Sequence, residues 1–214
     1  MKNFSLSILV IFLGISSFNL KAQTLEESLK LPYNQFDTAS TVASITAASA
    51  AFDLVTSSFP EELMSNYYSA FSKAILSYNE TVAARRAMIL DQADMYFEKV
   101  KQLSPEGEET YILAALIANA RLVIDGANRW KEYGKIFDDN LAKATAINPN
   151  NPRIHYLKGM SVFFTPKMFG GGAKKAKPLF ETAKPLFAAQ DISSILKPIW
   201  GSKQNEEFLL KCVE

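Results

Sequence analysis

Apolar residues recur at intervals of three and four along most of the chain, and clusters of proline, glycine and asparagine interrupt them. Val42, Ile45, Phe52, Val55 and Phe59 fall on one face of a helix, because side chains with that spacing line up along a 3.6-residue turn. Pro60 then interrupts and restarts the pattern, with Glu61 and Glu62 placed for a helix N-terminus. The stripe resumes at Leu63, Tyr67, Phe71, Ala74 and Tyr78. A third helix is predicted over residues 83–103, with Leu90, Ala93, Phe97, Val100 and Leu103 inward, and Ser104 to Gly107 form a turn. Residues 111–124 are apolar nearly all round, which predicts a helix at the centre of the fold. Asp125 and Gly126 end it. A fifth helix spans about 128–147 and stops at Asn148–Pro152; a sixth and a seventh flank Gly170, Gly171 and Gly172. Pro178 and Pro185 should kink or break the seventh. A last turn at Pro198–Gly201 precedes a short helix over 204–212.

Residues 23–34 are polar and contain Pro32, and they read as a flexible lead-in with at most one helical turn, at Leu25 to Leu29. No segment alternates with period two, so no strand is expected. The expected fold is all-α: seven or eight antiparallel helices, paired and stacked as a short solenoid or right-handed superhelix. Residues 35–214 are read as one helical domain.

The start of the chain breaks this pattern. Lys2 precedes a nearly unbroken apolar run from Leu6 to Leu13, and Leu20-Lys21-Ala22 offers a cleavage site. Residues 1–22 therefore read as a signal peptide, removed near Ala22. The run is too short for a comfortable membrane span of ~20 residues, so no stable span is expected after cleavage. The implied location is the periplasm or the exterior of a bacterial cell. Cleavage removes Lys2 and Lys21 and no acid, which takes the formal charge from +1 to −1. This near-neutral charge argues against a nucleic-acid partner, which would select a clustered basic excess. The single cysteine, Cys212, excludes an internal disulfide, and the single histidine, His155, excludes any site needing two.

Fixed offsets near the glycine loop carry a resemblance. Ala176, Phe180 and Ala183 repeat a small–aromatic–alanine order; Leu141, Ala144 and Pro149 follow part of it one unit earlier, and Ala93, Phe97, Val100 and Pro105 another unit before. In this the chain resembles the tetratricopeptide-repeat superfamily over roughly residues 61–190. Small residues there let paired helices approach, and the aromatic fills the gap beside them. The spacing between Val100, Ala144 and Ala183 is 44 and then 39 residues, against about 34 for that repeat. Insertions are implied, one of them the loop over 165–172. The NP-x-NPR turn, the triple glycine after Thr165-Pro166, and Pro198-Ile199-Trp200-Gly201 resemble a narrower group of small exported bacterial tetratricopeptide-like proteins. That likeness implies fold and export, and no particular chemistry.

No nucleophile, base and orienting group can be named together, so the expected protein is non-enzymatic, without cofactor or metal. His155 reads as a helix residue with one partner. Asp91, Asp94 and Glu98 read as a solvated face paired with Arg85, Arg86 and Lys101. Two binding surfaces are candidates. By the resemblance, the first helix of each pair lines a groove for a peptide or protein partner, which nominates Asn119, Arg153, Tyr156, Met160 and Phe163; Arg121 joins them because arginine and tyrosine suit peptide binding. The tyrosines Tyr67, Tyr68, Tyr78, Tyr111 and Tyr156 fit either such a groove or the core. The alternative is a small ligand or anion held by Gly170, Gly171 and Gly172 with Lys174 and Lys175, since backbone N–H groups at a helix N-terminus favour negative charge.

Overall fold

The computed structural model describes residues 23–213. The expected signal peptide over 1–22 lies outside them. Among the described residues there are nine α-helices and no strand. These are α1 (Leu25–Thr38), α2 (Val42–Ser58), α3 (Leu63–Asn79), α4 (Ala83–Leu103), α5 (Glu108–Leu122), α6 (Gly126–Ile147), α7 (Pro152–Phe164), α8 (Ala173–Ala188) and α9 (Ser202–Lys211). A 3₁₀ turn at Lys167–Phe169 separates α7 from α8.

The helices pack as consecutive pairs: α3 with α4, α5 with α6, and α7 with α8. Within this stack α5 lies between α3 and α7 and also touches α4. The central position expected of the all-round apolar helix is therefore observed. Ile112, Leu113, Ala115, Leu116 and Ala120 of α5 have no exposed surface. α1 and α2 pack against α3, and α9 packs against α8.

Three local differences from the sequence pattern have physical causes. Residues 25–38 form a four-turn helix rather than a flexible lead-in. The Thr24 side chain accepts from the Glu27 N–H, and the Glu27 carboxylate accepts from the Thr24 N–H at 2.9 Å. This reciprocal cap starts the helix, and the buried Leu29 anchors it to the core. It raises the helix number to nine. α3 is buried nearly all round rather than along one stripe, because α2 covers its serine face. The hydroxyls there are satisfied: Ser49 and Ser72 pair at 2.9 Å, and Thr56 and Ser69 at 2.8 Å. Finally, α8 runs unbroken through Pro178 and Pro185. The two prolines are exposed, so water can serve the carbonyls that lose a partner.

Most positions behind the repeat resemblance are interior, while Phe97 is half-buried and Pro105 and Pro149 are exposed in turns. Ala93, Val100, Leu141, Ala144, Ala176, Phe180 and Ala183 are fully buried. At the α7–α8 crossing, a Cβ added to Gly159 would lie 2.5 Å from the Phe180 ring. Phe180 is itself buried and stacked on Phe208 with ring centroids 5.2 Å apart, so it has no room to yield. Gly159→Ala should therefore destabilise the protein by about 1–3 kcal/mol through overpacking, although alanine is the better helix former. Urea unfolding measures this; a gain in stability would contradict the close crossing.

Candidate functional site

Two faces of α5 differ in what they meet. Glu109, Ile112, Leu116 and Asn119 recur at three- and four-residue spacing on one face; Tyr111, Ala114, Ala118 and Arg121 recur on another. Residues two apart on a helix point about 200° apart, so these faces are nearly opposed.

The first face is filled by the chain itself. Trp200 stacks on Phe71 with centroids 4.8 Å apart and lies edge-on to Tyr156 at 6.3 Å. Its indole N–H donates to the Tyr67 hydroxyl at 3.0 Å, and that hydroxyl donates to Glu109 Oε2 at 3.2 Å. The Arg153 guanidinium sits over the Trp200 ring at 5.5 Å and forms an ion pair with Glu109. Asn151 donates to the same carboxylate at 2.6 Å, and Arg153 Nη1 donates to Gln190 Oε1 at 3.2 Å. Gln190 in turn donates to the Pro198 carbonyl at 2.8 Å, and Tyr68 donates to the Lys197 carbonyl at 3.1 Å. Residues 195–200 thus plug the inner side of the helix stack. Burial alone would lower the Arg153 pKa, but the charge and hydrogen bonds of Glu109 outweigh it and hold the group above its ordinary value. Burial pushes the Tyr67 hydroxyl well up, with Glu109 adding to the effect.

This arrangement corrects part of the groove expected from sequence. Arg153 is 3 % exposed and Tyr156 is 6 % exposed. Neither can meet a partner, because Trp200, Phe187 and Phe208 cover them. Asn119 is buried and accepts from the Tyr78 hydroxyl at 2.8 Å. Met160 and Phe163 are half-buried against the core, and Phe163 packs on Phe164 and Phe208. Of the six residues, Arg121 alone lines an open cleft.

That cleft lies on the opposed face of α5, between α4 and α6, and holds about 700 Å³. This is within the range of small-molecule sites, about 300–1,000 Å³. Its walls are Phe97 from α4, Tyr111, Ala114, Ile117 and Ala118 from α5, and Tyr133 and Ile136 from α6. One end carries Lys101 and Lys143 beside Pro105 and Thr110. The Lys101 ammonium lies 5.4 Å from the Phe97 ring centroid, and that of Lys143 lies 5.3 Å from the Tyr111 centroid. The other end carries Arg121, Asp94 and Glu132. Arg121 donates to Asp91 at 2.8 Å and also pairs with Asp94, so its charge is largely offset locally. The acids of α4 thus pair in part differently from expectation: Asp91 and Asp94 with Arg121, and Glu98 with Lys101 at 2.6 Å. Lys143 has no carboxylate partner among the described residues.

The glycine loop is spoken for by its own backbone. Gly170 N–H donates to the Lys167 carbonyl at 3.0 Å, Gly171 to Pro166 at 3.3 Å, and Gly172 to Val162 at 2.8 Å. None of the three glycine N–H groups is left to hold an anion. Gly170 and Gly172 have φ of 86° and 98°, the left-handed region in which a side chain is strained. Lys174 and Lys175 are exposed. His155 Nε2 lies 3.1 Å from the Pro149 carbonyl, the single partner expected of it. Among the described residues no group of three His, Cys, Asp or Glu side chains could hold a metal ion, and no helix is long and apolar enough to cross a membrane.

The fold and the cleft together define an all-helical protein of stacked helix pairs with a cleft walled by aromatic and aliphatic side chains. Among solved structures it is similar to the HusA haemophore from Porphyromonas gingivalis, with a TM-score of 0.75 and 26 % sequence identity, over 90 % of this chain and 94 % of that one. No family model and no curated protein matches the chain.

The inner plug makes a firm stability prediction. Glu109→Gln would leave the Arg153 guanidinium buried without a counter-charge, and should cost about 3–5 kcal/mol in urea unfolding. Loss below about 1 kcal/mol would mean that water reaches the guanidinium.

Proposed function

We propose that this protein is a non-enzymatic, exported carrier of haem or a related tetrapyrrole, and that the cleft between α4, α5 and α6 is the binding site. The observation that carries the reading is the match between the cleft and the ligand's chemistry. A tetrapyrrole is a flat aromatic body whose two propionates leave the same edge. The cleft presents aromatic and aliphatic walls, Phe97, Tyr111, Ile117, Tyr133 and Ile136, with Lys101 and Lys143 together at one end. The flat body would lie against the rings, and the two ammonium groups would face the two carboxylates. The likeness to a haemophore supports the same class of ligand.

Of the two binding surfaces raised by the sequence, the small-ligand alternative is thus favoured over a peptide or protein partner, but at a different place from the glycine loop. Export rests on the signal-like run of residues 1–22, and the remainder is read as one helical domain. The stacking of α3/α4, α5/α6 and α7/α8, with α5 between α3 and α7, supports a tetratricopeptide-like assignment. The one imidazole of the chain, His155, is not among the lining residues. Affinity should therefore come from stacking and charge more than from an imidazole on the iron.

Titration of haemin, followed by its visible absorbance, tests the site. Lys101→Ala and Lys143→Ala should each weaken binding about two- to fivefold, as partly exposed ion pairs do, and Tyr111→Ala about tenfold. Iron-free protoporphyrin should bind within about tenfold of haemin. Wild-type affinity in all three variants would move the site elsewhere, and absence of saturable binding would refute the reading.

A further inference from the structure

The corner that joins α7 to α8 leaves three large apolar side chains open to solvent. Phe164, Met168 and Phe169 are exposed by 66 %, 83 % and 72 %. Aromatic and thioether side chains left this open in adjacent positions mark a surface that meets something apolar. The corner is also built to hold them outward. Phe169 N–H donates to the Pro166 carbonyl at 2.9 Å, and Gly172 N–H ties the loop back to Val162 at 2.8 Å. Gly171 is packed so closely that an added Cβ would lie 2.2 Å from the Thr165 carbonyl oxygen. The turn is thus fixed by its backbone and does not depend on burying its apolar side chains.

Charge gives the partner's sign. From residue 141 to residue 180 the chain has six lysines and one arginine and not a single Asp or Glu. Lys167, Lys174 and Lys175 flank the apolar tip and form no ion pair among the described residues. Lys174 and Lys175 also stand in the first turn of α8, where a positive charge opposes the helix dipole. An anionic, apolar surface is what complements this corner.

Hydrogen-bonding capacity separates a lipid surface from a protein. A specific protein interface carries about one hydrogen bond per 100–200 Å². Between residues 164 and 175 the one uncharged polar side chain is Thr165, and its hydroxyl already donates to Ser161 at 2.8 Å. The corner offers apolar bulk and positive charge without directional uncharged groups. Such a combination suits the boundary between acyl chains and anionic headgroups.

We infer that the Phe164–Lys175 corner is a docking surface for an anionic lipid bilayer, with Phe164, Met168 and Phe169 inserted among the headgroups and Lys167, Lys174 and Lys175 against their phosphates. This surface shares no residue with the cleft, so it stands or falls separately from tetrapyrrole binding.

Co-sedimentation with vesicles tests it, comparing phosphatidylcholine mixed with phosphatidylglycerol against phosphatidylcholine alone. Wild type and variants are prepared identically, so that residues 1–22 contribute equally. The wild type should partition onto the anionic vesicles and be released by added salt. The triple variant Phe164→Ser, Met168→Ser, Phe169→Ser should lose about tenfold or more in partition, and Lys167→Gln, Lys174→Gln and Lys175→Gln about fivefold each. Phe164 also packs against Phe163 and Phe208, so the double variant Met168→Ser, Phe169→Ser is measured beside the triple one. It and the lysine variants change only exposed side chains, and their melting temperature and haemin affinity should stay at wild-type values while partition falls. Equal partition onto the two kinds of vesicle, or wild-type partition by the triple variant, would overturn the proposal. So would loop-dependent retention by a protein partner without vesicle binding.

Discussion

A guanidinium in an apolar interior needs a counter-charge, and the organisation of this protein follows from how Arg153 gets one. Isolated burial of such an ion costs several kcal/mol even after relaxation. Glu109 supplies the charge from α5, and Asn151, Gln190 and the face of Trp200 supply the remaining contacts. The pair joins α7 to α5, and through Gln190 and Trp200 it joins both to the C-terminal segment. Those contacts leave no room for a partner on the inner side of the stack. The face of α5 that carries Glu109 is therefore structural.

The consequence appears on the opposite face of the same helix. α5 is apolar nearly all round because it has two jobs. One side meets the plugged interior, and the other forms the floor of a cleft walled by α4 and α6. Lys101 and Lys143 stand over Phe97 and Tyr111 at one end of that cleft, which places positive charge beside an aromatic surface. A planar dianion with an apolar body fits that combination better than an extended peptide does, since a peptide would need backbone partners along its length. The loop between α7 and α8 is outside this arrangement. Its glycines turn the chain, and its apolar tip and lysines face solvent.

The helices were legible in the sequence where turn chemistry punctuates them. α4 spans the expected residues, the turns at Pro60 and Ser104–Gly107 fall between helices as read, and the Asn148–Asn151 turn hands over to α7 at Pro152. Of α1 only a turn at Leu25 to Leu29 is legible, because its signal is local: Pro32 and a polar composition suggest a loop, while the Thr24–Glu27 cap and the buried Leu29 make a helix. The candidate site was legible only in pieces. Tyr111 and Arg121 were recognised as groove material, and both line the cleft. Arg153 and Tyr156 were placed in the same groove, because a repeat pattern predicts which face a residue occupies but not what covers that face. The covering side chain, Trp200, is 133 residues from Tyr67, to which it donates. A Pro-Ile-Trp-Gly sequence reads as a turn, and nothing in its local pattern signals such a distant contact. Phe97 reads as core and Lys101 as solvated, and Lys143 carries no signal in the sequence, for a similar reason: the cleft exists only once three helices are placed around it.

The proposed tetrapyrrole site is the α4–α5–α6 cleft. Paramagnetic broadening of backbone amide signals by bound haemin tests it most directly, because ferric iron attenuates nearby signals without any mutation. The account predicts that amides around Phe97, Tyr111, Tyr133 and Lys143 are lost first, while those around Trp200, Phe208 and Gly172 persist. Loss centred on the C-terminal plug or on the glycine loop, with α4 to α6 unaffected, would contradict it.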